Sequence, residues 1–266
     1  MPDATSAAST DNDKESMPTM GFLDHLEELR KRLVYSAMAV AGGSVICWGY
    51  RERIYGLMQR PIMDVLRKNG LSEKLVYLNP VEPFNLYLKI AMLAGLFLSS
   101  PFVLYQVWMF ISPGLYRHEK RYITPFMIST IALFTAGGYF GYRVAYPRAL
   151  DFLIVFGKQF QPMITIGEYT QLFLSIVAGM GLIFEMPILV FFLAFMGIVS
   201  PEFMIRQYRY AILIIFVIAG IVTPTPDIFN MCVFASPMLA LYALSIGVAW
   251  LVHPTRRNAR KEKRAQ

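Results

Sequence analysis

The sequence predicts an all-α integral membrane bundle of six transmembrane helices. Of its 266 residues, 56% are hydrophobic and only 16% are charged, against roughly 25% charged in soluble domains, and mean hydropathy is +0.46. Apolar runs recur at 33–50, 85–111, 122–142, 170–199, 210–222 and 231–252, most of them long enough to span a hydrocarbon core. An even number of spans puts both termini on one side. That side holds Arg30, Lys31 and Arg32, then Arg117, Lys120 and Arg121, then Arg206 and Arg209, and a basic tail from Arg256 to Arg264. The other side carries fewer cations, spread through longer loops. The positive-inside bias therefore makes both termini cytoplasmic. The net charge of +7 then reports membrane topology and implies no nucleic-acid partner.

Residues 1–20 are polar, rich in Ser, Thr and Asp, and lack the basic start, apolar core and cleavage site of a signal peptide. They predict a disordered cytoplasmic tail. Their poverty in Arg argues against an organelle transit peptide and favours a bacterial inner membrane. The membrane domain follows over 21–252, and 253–266 forms a basic cytoplasmic tail. Its first element, FLDHLEELRKRLVYS at 22–36, sets Phe22, Leu26, Leu29 and Leu33 at helical spacing, so an amphipathic helix runs into the first span. On its charged face Glu27 and Lys31, and Glu28 and Arg32, stand at i,i+4, each pair worth only about 0.2–0.5 kcal/mol. A long outer loop containing Pro61 leads to the second span, which Pro101 is expected to break. Pro113 and Gly114 end that span before a tight loop of Arg117, His118, Glu119, Lys120 and Arg121. The fifth run, about 13 residues, reaches roughly 20 Å against a hydrocarbon core of about 30 Å.

Chemistry is sparse. Cys47 and Cys232 sit in or beside apolar runs, where lone cysteines pack as small hydrophobes. His25, His118 and His253 have no Cys or His at ligand spacing. Neither GxSxG, a Walker loop nor HExxH occurs. No catalytic residue, metal or cofactor is expected.

Two places carry unexplained charge. In GLIFEMPILVFF, residues 181–192, Glu185 lies midway along an uncharged span, where a charge costs about 2.5–3.5 kcal/mol on insertion scales. Stepping back in helical register gives Gly181, Ala178 and Ser175, a small-residue strip of the kind that meets another helix or a cavity. Pro187 should bend the helix. Glu185 is thus either a protonated structural group or part of a polar groove that contacts a passenger. At the cytoplasmic surface, Glu119 is an acid among bases and the main carboxylate able to face Glu28. Each acid is either neutralised by its own neighbours or one of a pair that receives guanidinium groups, whose planar fork an ammonium cannot duplicate.

Six stretches together carry a resemblance: HLEELRKRL at 25–33, NPVEPFNLYLKIAML at 79–93, SPFVLYQVWMFISPGLYRHEKR at 100–121, GLIFEMPILV at 181–190, RYAILIIFVIAGIVTPTPD at 209–227 and ASPMLALYALSI at 235–246. In this order around six spans, they resemble the TatC family, the polytopic subunit of the twin-arginine protein translocase, over roughly 21–250. The loop reads TPTPD where other members have TPPD, and Ala243 stands where the family often has Glu. The resemblance implies a glove-like bundle whose concave side Glu185 faces. It implies that Glu28 and Glu119 bind the Arg pair of a signal peptide, that Phe110 and Pro113 shape that site, and that Pro61 belongs to a periplasmic cap. It further implies single-span partners TatA and TatB, a homo-oligomeric receptor complex embedded in membrane lipid, and transport of folded cargo on the proton-motive force without catalysis. The alternative, a secondary transporter of a small solute, would suit six helices and a buried acid, but such folds show two halves with matching broken helices.

Overall fold

A computed structural model describes residues 22–72, 74–111, 123–160, 162–195, 198–222 and 228–252. The expected tails, Pro113, Glu119 and the TPTPD loop lie outside the described residues. The chain is helical: α1 (Phe22–Gly49), α2 (Arg51–Lys68), α3 (Glu82–Ile111), α4 (Ile123–Phe140), a π turn (Gly141–Ala145), α5 (Tyr146–Phe156), α6 (Ile166–Ile183), α7 (Met186–Phe195), α8 (Pro201–Arg206), α9 (Tyr208–Val222) and α10 (Ile228–Val252). No strand occurs among the described residues, although an isolated bridge joins Val76 to Thr165.

Among the described residues each of the six apolar runs is helical over most of its length, and together they make a membrane bundle. By length and composition, Glu82–Phe110, Ile166–Ala194 and Met231–Trp250 can each cross a membrane. α1 passes the same test only together with α2, to which it is bent by 86°. α9 begins two residues earlier than expected, yet its 15 residues still reach only about 22 Å. Large apolar side chains point outward along the spans, among them Val45 at 74% and Ile221 at 78% exposed, as lipid-facing residues must.

In lipid, backbone polar groups have no water to turn to, and a proline within a helix frees the carbonyl four residues before it. Three helices solve this with a hydroxyl. Pro101 frees Phe97, and the Ser100 hydroxyl donates to that carbonyl at 2.8 Å. Pro237 frees Val233, to which the Ser236 hydroxyl donates at 3.1 Å. Pro61 frees Leu57, and here the donor is Tyr142 from the π turn, at 2.8 Å. α3 therefore runs unbroken through Pro101, contrary to the sequence expectation. Pro187 follows Met186, which has no hydroxyl, and there the span does break: α6 ends at Ile183 and α7 starts at Met186. Among the described residues, then, Pro187 marks a division in its span and Pro101 does not.

Pro61 also corrects an expectation, for it is buried inside α2 and not in a loop. Met58, Pro61, Ile62, Val65 and Leu66 form the buried face of α2, whose polar face is turned away. The Tyr169 hydroxyl donates to the Met58 carbonyl at 2.6 Å, so α2 is tied to α6 as well as to the π turn. Below it lies the core, where Ile90, Tyr146, Ile176 and Met180 are fully buried. Cys47 is buried, Cys232 is exposed, and both are free.

α1 and α3 pack antiparallel at backbone distance. A Cβ on Gly95 would stand 2.5 Å from the Ser44 nitrogen, and one on Gly43 would stand 2.9 Å from the Gly95 carbonyl oxygen. Small residues permit such approach, and dispersion drives it in lipid. Gly95→Val should therefore push the pair apart and cost about 1–3 kcal/mol, read as a lower thermal unfolding midpoint of the purified chain in detergent. Tyr142→Phe keeps the ring but removes the donor to Leu57, and should cost about 1–3 kcal/mol. In the same experiment Tyr142→Phe should also speed proteolysis of α2; an unchanged rate would mean that the hydroxyl does not hold this helix.

Candidate functional site

The α1–α3 contact delivers the first turns of α1 to the last turns of α3. No proline interrupts α1, so the helix runs from its charged start into the apolar span without a break. His25, Glu28 and Arg32 recur at i, i+3 and i+7 and share one face. Against that face α3 sets Gln106 and Phe110. The His25 and Phe110 rings stack with centroids 4.4 Å apart and planes at 19°. Gln106 is buried, at 5% exposure, and its Oε1 accepts from Arg32 Nη1 at 2.9 Å. Arg32 Nη2 donates to Glu28 Oε1 at 3.2 Å.

Glu28 is therefore half committed. One carboxylate oxygen is held by its own helix, as the local reading of the sequence expects. The other, Oε2, is buried and has no hydrogen-bond partner among the described residues, and the same holds for Arg32 Nε. A buried acceptor left open is costly. Among the described residues this oxygen keeps an unused lone-pair direction, suited to a charge-assisted donor. On its other face α3 is fastened to α4: Trp108 stacks on Phe126 at 5.6 Å, and Trp108 Nε1 donates to Thr130 Oγ1 at 3.3 Å.

The structure thus brings together Glu28 and Phe110, while Pro113 and Glu119 lie outside the described residues. Gln106 was missed as a site residue. Its signal was present, for it is an amide deep in an otherwise apolar run, and such a group needs a partner.

Glu185 stands at the break between α6 and α7. Its backbone nitrogen donates to Leu182 at 3.1 Å and its carbonyl accepts from Ile188 and Leu189, while Oε1 is buried without a partner among the described residues. The small-residue strip leading to it meets a helix: a Cβ on Gly181 would stand 3.0 Å from the Phe134 ring of α4. Close by, an apolar cavity of about 800 Å3 opens between α7, α9 and α10, bounded by Met186, Leu193, Met204, Ile214, Met238 and Ser245. Glu185 is not among its lining residues. Pro61 lies at the opposite end of the bundle from Glu28.

Comparison with known proteins agrees with this arrangement. Residues 24–237 match the family model described as Sec-independent protein translocase protein (TatC). The Sec-independent protein translocase protein TatC of Koribacter versatilis (strain Ellin345) is 62% identical over 249 residues, covering 94% of this chain and 92% of that protein. That of Carboxydothermus hydrogenoformans is 37% identical, over 88% of this chain and 95% of its own length. A crystal structure of the twin arginine translocase receptor TatC superposes with a TM-score of 0.76 at 35% identity, covering 86% of this chain and 99% of that one. The chain belongs to the TatC family of Sec-independent protein translocase proteins.

Proposed function

We propose that this chain is the receptor and core subunit of a twin-arginine translocase, and that Glu28 with Glu119 receives the Arg pair of signal peptides on folded cargo. The observation that carries this reading is the Glu28 carboxylate, one oxygen bonded to Arg32 and the other buried with no partner among the described residues. A basic peptide is repelled along a face rich in Lys and Arg except where carboxylates gather. A guanidinium can approach Oε2 with two N–H groups in a plane, which an ammonium cannot. Phe110 and Pro113 shape the approach, and Glu185 is a polar wall of the groove along which the peptide inserts. Transport runs on the proton-motive force with TatA and TatB, in a homo-oligomeric receptor complex of the bacterial inner membrane with both termini cytoplasmic. Pro61 belongs to the cap at the periplasmic end. Support for the topology comes from the basic clusters at Arg30 to Arg32 and Arg256 to Arg264.

The test is fluorescence binding of Arg-Arg and Lys-Lys signal peptides to wild type, Glu28→Gln, Glu119→Gln and the double variant. Wild type should prefer Arg-Arg, each single variant should bind at least tenfold more weakly, and the double variant should lose the preference. Affinity should fall as salt rises toward physiological strength, where the screening length is about 8 Å. A double variant that binds as tightly as wild type and still prefers Arg-Arg would remove both residues from the site.

A further inference from the structure

At the end of the bundle away from Glu28, α2 and the π turn enclose a cavity of about 320 Å3 lined by Arg60, Asp64, Lys68, Tyr142, Arg143 and Pro147, with Pro61 and Val65 behind them. Three cations and one acid face this space. Lys68 is already engaged, donating to Asp151 Oδ2 at 2.8 Å, while Asn69 donates to Oδ1 of the same carboxylate at 3.1 Å. These bonds hold the Asp151 carboxyl below the usual carboxylate range. Arg60 and Arg143 are exposed and form no ion pair among the described residues. The cavity therefore offers two uncommitted guanidinium groups against a single acid, Asp64.

Two features make this more than a solvated surface. The arginines come from different elements, and those elements are fastened together: the Tyr142 hydroxyl beside Arg143 donates to the Leu57 carbonyl one turn before Arg60. Pro61 and Pro147 stiffen the facing walls. The π turn adds a residue to the helical repeat there, and such turns occur often at functional sites. The level in the membrane is also distinctive. One turn below Arg143, Tyr139 is 64% exposed, and Leu57, one turn before Arg60, is 51% exposed. α2, bent by 86° from α1, lies across the end of the bundle. The two arginines thus stand one turn from exposed apolar side chains, a position that suits the depth of lipid headgroups. Basic pockets between membrane helices suit phosphate-bearing headgroups, and an arginine fork matches phosphate oxygens pairwise.

We propose that this cavity binds a phosphate group through Arg60 and Arg143, and that in the membrane the phosphate belongs to an anionic phospholipid headgroup. The site is separate from the Glu28 face and independent of the peptide reading. It gives a use to cations that run against the positive-inside bias at this end of the chain.

The experiment is native mass spectrometry of the full chain in neutral detergent, titrated with phosphatidylglycerol, phosphatidylcholine or inorganic phosphate. The variants are R60Q/R143Q, R60K/R143K and, as a control elsewhere on α2, R53Q. Wild type and R53Q should retain one phosphatidylglycerol at least tenfold more tightly than phosphatidylcholine. R60Q/R143Q should lose that preference, and R60K/R143K, which keeps the charge and so guards against misfolding, should fall between. Competition by inorganic phosphate that vanishes in R60Q/R143Q would support recognition of the phosphate itself. Phosphate binding without phosphatidylglycerol retention would overturn the lipid assignment. Equal phosphatidylglycerol affinity in wild type and R60Q/R143Q would overturn the site, whatever becomes of twin-arginine peptide binding.

Discussion

A backbone carbonyl in lipid must find its donor within the protein, and much of this fold follows from where prolines remove one. Ser100 and Ser236 repair the loss within their own helices, so α3 and α10 stay whole through a proline. At Pro61 the repair comes from another element, and the Tyr142 bond thereby becomes a tertiary clamp that fastens α2 across the end of the bundle. At Pro187 the neighbouring Met186 offers no hydroxyl, and the fourth span divides at Phe184 and Glu185. One rule thus yields a continuous helix, a clamp or a break, depending on which side chain is near.

Under the proposed function the unbroken helices matter because α3 carries Gln106 and Phe110 to the level of Glu28. The close approach at Gly43 and Gly95 sets the spacing of α1 and α3, and the charged end inherits it. Arg32 then reaches Gln106 on one helix and Glu28 on the other. The Arg32 guanidinium therefore stands beside the Glu28 carboxylate. Its presence leaves one carboxylate oxygen unbonded among the described residues.

The apolar runs were legible in the sequence because hydropathy alone separates lipid-facing helices from everything else, and the Glu28 and Arg32 pair was legible because i,i+4 spacing is local. α2 was not. Its arginines and lysines lower its hydropathy, and the buried stripe of Met58, Ile62, Val65 and Leu66 was hidden among them, so Pro61 read as a loop residue. Pro101 read as a break because proline was weighed without the serine before it. The strip from Ser175 to Gly181 read as a face that meets a helix or a cavity, and only the fold shows Phe134 beside Gly181. Gln106 escaped notice because its partner, Arg32, is distant in sequence.

Under the proposed function, the Arg pair of a signal peptide docks where α1 and α3 meet. The most direct test is photocrosslinking in membranes from a reactive residue placed beside that pair, with the adducts mapped by mass spectrometry. The account expects adducts on α1 between His25 and Arg32 and on α3 near Phe110. Adducts confined to α2 and the π turn, or to the cavity between α9 and α10, would contradict it.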